Sequence, residues 1–175
     1  MRRSRGFTLI ELAVVVLVLG VAAAAVLPRL GGAELERARL RSSANKLAAA
    51  AAYARDRAAC TRAVHVLHVD LNGGTYWVKP LTRSANAGAA PVRGKLPDGV
   101  RFTDVQVAGG IAGGVVELRF SPEGWADAAA IHLGLADGSA ATVLIAGLCG
   151  RAETHDGRLG IGGGDAYDDV TWAAQ

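Results

Sequence analysis

The stretch Phe7–Leu27 constrains this chain more than any other. It is apolar throughout except for one charge, Glu11. Wound as a helix at 1.5 Å per residue, such a run reaches roughly 30 Å, the thickness of a bilayer's hydrocarbon core. Arg2, Arg3 and Arg5 stand before it with no acid among them. Positive charge stays on the cytoplasmic side, so the run predicts one membrane helix with the rest of the chain delivered across. Glu11 is the exception inside it. An acid deep in a membrane helix costs about 2.5–3.5 kcal/mol on insertion scales, so such acids usually have partners. Either Glu11 lies one turn in and reaches the headgroups, or it meets a cation. The run supplies none, so that cation comes from another chain or from a newly made amino terminus.

Arg5-Gly6-Phe7-Thr8-Leu9-Ile10-Glu11 resembles the type III signal of type IV pilins and type II secretion pseudopilins. The resemblance implies cleavage between Gly6 and Phe7 by a prepilin peptidase on the cytoplasmic face, and N-methylation of Phe7. It places Glu11 fifth in the mature chain, where the family's acid pairs with a neighbouring subunit's terminal amine and serves assembly. Pro28 falls at the family's helix-kink proline.

The 175 residues give room for a membrane helix and one further domain. Losing residues 1–6 lowers the basic count from 19 to 16, against 16 acids. The net +3 therefore belongs to the leader. A near-neutral mature chain lacks the basic footprint of a nucleic-acid binder, and no nucleic-acid partner is expected. Aromatic residues make up only 5%, so the core must be small and aliphatic. The two cysteines, Cys60 and Cys149, have no metal-binding spacing. In an oxidising periplasm they form one disulfide or remain two buried free thiols, and both readings stand.

Gly20 and Ala22–Ala25 give the apolar helix a small-residue face that permits close helix packing. Pro28 and Gly31-Gly32 predict a kink or a locally unwound segment over 28–32. A helical pattern then runs to about Arg62, with Leu40, Ala44, Leu47, Ala51, Ala54 and Ala58 spaced by three and four along one face. After Thr61 the period becomes that of strands: 63–71, 75–79, 100–107, 115–120, 129–135 and 141–146, with a short strand expected over 149–153. Asn72-Gly73-Gly74 joins the first two as a hairpin. Residues 80–99, with three prolines, read as a long loop, and Gly109–Gly114 as a turn. The expected fold is α+β and pilin-like, a long N-terminal helix with a transmembrane first half, packed on an antiparallel β-sheet.

Ala54–Ala59 leading into the Val64–Leu71 strand, followed later by Phe120-Ser121-Pro122-Glu123-Gly124, narrows the resemblance to the H-type minor pseudopilins and the related minor pilins. It weakens beyond residue 146, and the tail has no counterpart.

Few residues offer other chemistry. His65 and His68 are three apart in a strand and face opposite sides, so they cannot share a metal. His132 and His155 read as surface or satisfied core residues. Gly160–Gly164 lacks the strand and helix that a phosphate loop needs and reads as flexible tail. Asp165, Asp168 and Asp169 fit no EF-hand spacing. No catalytic residue, metal or cofactor is expected, and the chain reads as a non-enzyme.

The chain divides into a leader (1–6), a transmembrane helix (7–27), the periplasmic half of the long helix (28–62), an antiparallel β domain (63–156) and a Gly-rich, acidic tail (157–175). The resemblance implies a minor pseudopilin of a type II secretion system, anchored once in the inner membrane of a Gram-negative bacterium with its β domain in the periplasm. Its implied partners are prepilin peptidase, other major and minor pseudopilins, the inner-membrane assembly platform and secreted cargo. A minor type IV pilin is the alternative within the class. An ordinary Sec-secreted domain or enzyme, cleaved near Ala22–Ala25, is the alternative outside it; Glu11 within the apolar region counts against that reading.

Overall fold

A computed structural model describes residues 9–81 and 92–161; the side chains of 23–31 lie outside that description. One helix, α1 (Leu9–Thr61), precedes nine strands. The segments Met1–Glu36 and Arg37–Gln175 form separate compact units. The helix is continuous through Pro28 and Gly31-Gly32, so the unwound alternative for 28–32 does not occur. Arg62 ends the helix in a left-handed conformation, φ 52°.

In the second unit the predicted stripe is the buried one. Leu40, Ala44, Leu47, Ala51, Ala54 and Ala58 are all 3% exposed or less, while Arg41, Asn45 and Lys46 face outward. Five alanines in or beside the stripe keep it thin, which lets strands pack close to the helix.

The strands form two antiparallel sheets, where the sequence predicts a single one. The first, sheet A, has the order β3-β2-β1-β6, with β1 His65–Asp70, β2 Thr75–Pro80, β3 Arg93–Lys95 and β6 Val115–Phe120. The second, sheet B, has the order β5-β4-β7-β8-β9, with β4 Arg101–Val107, β5 Gly110–Ala112, β7 Ala129–Gly134, β8 Ala140–Ile145 and β9 Ala152–Asp156. Leu67, Val69, Val78, Leu118 and Phe120 from sheet A join Phe102, Val105, Ile131, Leu133, Val143 and Ile145 from sheet B and the α1 stripe in one core. The alternation is clearest in β6, where Val116, Leu118 and Phe120 are buried and Val115, Glu117 and Arg119 exposed.

Two short strands sit where loops are predicted. β3 lies inside the 80–99 segment and is held by β2, Tyr76 facing Gly94 in the register. A Cβ at Gly94 would lie 2.1 Å from Tyr76 Cζ, so only glycine lets the phenol lie against this strand. β5 replaces the expected turn at 109–114. The final strand begins at Ala152, not Cys149.

The turn after β6 is built by its own side chains. The Ser121 hydroxyl donates to Glu123 and accepts the Glu123 N–H at 3.0 Å. The first of these bonds holds the exposed Glu123 carboxyl below its ordinary pKa. Gly124 then takes φ 101°, which a side chain would resist. Asp127 N–H donates to Arg119 O and Ala126 N–H to Gly147 O, so this turn links β6 to the loop after β8.

Candidate functional site

The first candidate region is the start of α1. Leu9, Ile10, Leu12, Val14–Leu19 and Val21 are exposed all round the helix, from 46% at Val15 to 87% at Leu9. A helix apolar on every side has no stable exposed state in water and needs lipid or protein around it. Glu11 is exposed in the first turn of this helix and has no ion-pair partner among the described residues. The same turn that favours an acid electrostatically therefore presents an open carboxylate amid apolar side chains. Among the described residues, no helix is long and apolar enough to cross a membrane. The described side chains of the apolar run stop at Ala22, short of the roughly 20 residues a span needs. Gly6 and Phe7 lie outside the described residues, as do Asp165, Asp168 and Asp169.

The second region is a polar cluster on the outer face of sheet B. A register shift between Phe102 and Asp104 turns the Asp104 carboxylate toward His132 on β7. His132, 1% exposed, has Nδ1 2.8 Å from Asp104 Oδ1 and Nε2 2.7 Å from Leu159 O. A carbonyl accepts only, so Nε2 carries a proton and donates. That nitrogen cannot serve as a general base, and the pair is structural despite its likeness to a catalytic dyad. Arg158 Nη2 donates to the second Asp104 oxygen at 2.5 Å. Thr142 Oγ1 donates to Gly157 O at 2.7 Å and accepts the Leu159 N–H at 3.1 Å. The Ile161 N–H reaches Gln106 Oε1 at 3.3 Å. Residues 157–161 are thus strapped onto the sheet with Leu159 buried, so Gly160 and Ile161 are held rather than flexible, while 162–164 lie outside the described residues.

The remaining predicted residues are dispersed. His65 is buried with Nδ1 3.0 Å from Ala63 O. His68 stacks on Trp77, ring centroids 5.1 Å apart. Burial holds the His68 pKa below its ordinary value, with Glu117 opposing and Lys79 adding to the effect. Cys60 and Cys149 are unbonded and both are exposed, so the structure has neither the disulfide nor the two buried thiols that the sequence left open. Their sites at the last turn of α1 and in the loop after β8 leave the thiols at the surface. Among the described residues no group of three or more metal-ligating side chains comes together. The sequence gives no sign of the Asp104–His132 pair, because its two members lie 28 residues apart and meet only through the β4–β7 register.

Comparison with known proteins decides what the first region is. Residues 1–27 match the prokaryotic N-terminal methylation motif. The chain opens with a prepilin-type methylation signal. No curated protein matches the chain by sequence. In structure the chain is similar to the minor pseudopilin EpsH from the type 2 secretion system of Vibrio cholerae. The TM-score is 0.50 at 12% identity, covering 67% of this chain and 95% of that one. At that identity the likeness establishes the fold: a long N-terminal helix packed on antiparallel sheets, as in a pseudopilin.

Proposed function

We propose that this chain is a non-enzymatic minor pseudopilin of a type II secretion system that works by assembly. The observation that carries the reading is the pairing of a methylation signal over residues 1–27 with a pseudopilin-like fold behind it. The apolar helix stores the subunit in the inner membrane in a single pass, with the β domain in the periplasm. Prepilin peptidase cuts after Gly6, and the new Phe7 amine is methylated. Glu11 then seeks a neighbouring subunit's terminal amine, an attraction that strengthens where water is excluded. The run is too apolar to supply that cation itself. A bend at Pro28 would set the angle between the membrane half and the periplasmic half. The partners are other pseudopilins, the inner-membrane assembly platform and, at an exposed end, secreted cargo.

Glu11→Ala tests the pairing. The variant should enter the membrane as the parent does, since it loses only a charge that opposes insertion. Its cross-linking to neighbouring pseudopilins and the export of cargo should each fall at least tenfold. Export at the parental level would refute the role given to Glu11. The minor type IV pilin reading differs in what is lost: pilus number would fall in the variant while export stayed intact.

A further inference from the structure

The outer face of sheet A carries a positive groove at its β2–β3 edge. Thr75, Trp77 and Lys79 point outward from β2 while Tyr76 and Val78 turn into the core. The register sets Arg93 beside Trp77 and Lys95 beside Thr75. Together with Tyr76 and Gly94 these residues line a concavity of about 440 Å³ containing three cations and no acid. Lys79, Arg93 and Lys95 have no carboxylate partner among the described residues. The acids elsewhere on this face are engaged. Glu117, beyond His68 in the same cross-strand row, lies 3.5 Å from His68 Nδ1. Asp70 accepts the N–H groups of Asn72 and Gly73 in the β1–β2 turn.

Trp77 decides what kind of anion fits. The His68 ring lies against it at an interplanar angle of 11°, and Lys79 Nζ sits 5.7 Å from its centroid. An indole so engaged is a poor stacking platform for a base. Its N–H, however, is buried and has no hydrogen-bond partner among the described residues. Buried donors are rarely left so, and an incoming acceptor meets this one once the flanking His68 or Lys79 side chain moves aside. The strand beside it is an edge among the described residues, where β3 pairs with β2 alone. An extended peptide can add to such an edge through its backbone. Side chains two residues apart on that peptide fall on one face, at the same repeat as Arg93 and Lys95. Edge cations also guard against unwanted strand pairing, and the guard is selective, since it repels basic chains and admits acidic ones.

We propose that the β2–β3 edge is a docking groove for an extended acidic segment of a partner protein, which adds beside β3 and sets alternate carboxylates against Lys79, Arg93 and Lys95. The proposal rests on sheet A alone and stands whether the chain serves export or a pilus.

The test is fluorescence anisotropy on the full-length protein in non-ionic detergent, with a fluorescein-labelled peptide alternating aspartate with valine and threonine. Saturable binding is expected, at least tenfold weaker for the asparagine version of the peptide and for the Arg93→Glu/Lys95→Glu double variant. Lys79→Gln should weaken it severalfold, as should Trp77→Phe, which keeps a ring and removes the N–H. Backbone N-methylation of the peptide at alternate residues should abolish it on one of the two registers. No binding, equal binding of the asparagine peptide, or indifference to the double variant would overturn the proposal. Tighter binding of a thymidine oligonucleotide would overturn it in favour of a general anion site. Tighter binding of a peptide of the chain's own residues 165–172 would overturn it in favour of a second copy.

Discussion

Leu47→Ala should destabilise the second unit by about 3–5 kcal/mol, the upper part of the range for large-to-small core substitutions. Leu47 is fully buried on α1 and is among the largest side chains in the core. Its helical neighbours on the stripe are Ala44 and Ala51, too short to lean into the space it would leave. A cavity that cannot collapse gives the larger penalty. Urea unfolding of the full chain in non-ionic detergent should show a lower midpoint with an unchanged slope. Lys46→Ala, one residue away on the exposed face, should stay within about 0.5 kcal/mol of the parent. Equal effects from the two would mean that the stripe does not hold the helix on the sheets.

Asp104→Ala should cost about 3 kcal/mol, because it leaves the buried His132 Nδ1 facing an empty position. It should also free residues 157–161, seen as faster tryptic cleavage after Arg158. Asp104→Asn keeps an acceptor for His132 and should cost less than half as much. Arg158→Ala should cost under about 1 kcal/mol, since its side chain is half exposed and such pairs are weak. If Arg158→Ala matched Asp104→Ala, the strap would be held by the surface ion pair rather than by the buried imidazole.

What the sequence disclosed follows from how local each signal is. The α1 stripe is legible because Leu40 through Ala58 repeat at the helical period, and every member named is buried. The long strands are legible because β-branched runs stand between glycine turns. β3 is not, because Arg93-Gly94-Lys95 has no strand character of its own and exists through its register with Thr75–Trp77. The strap is not, because glycine and arginine around Leu159 look like tail until Thr142 and His132 are brought beside them from far along the chain. The division into two sheets is likewise a matter of pairing, which composition does not encode. At the amino terminus the order reverses. Glu11 stands out in sequence as the one charge in an apolar run, while the folded single chain shows only an exposed carboxylate with no partner among the described residues. A partner supplied by another subunit cannot appear in one subunit.

The measurement closest to the central claim is the amino-terminal mass and sequence of the protein isolated from membranes, with and without active prepilin peptidase. A mature chain that begins at N-methylated Phe7, and retains residues 1–6 when the peptidase is absent, is the predicted result. A chain that begins after Ala24 or Ala25 in both cases would contradict the account, make this a secreted domain, and remove Glu11 from the mature protein altogether.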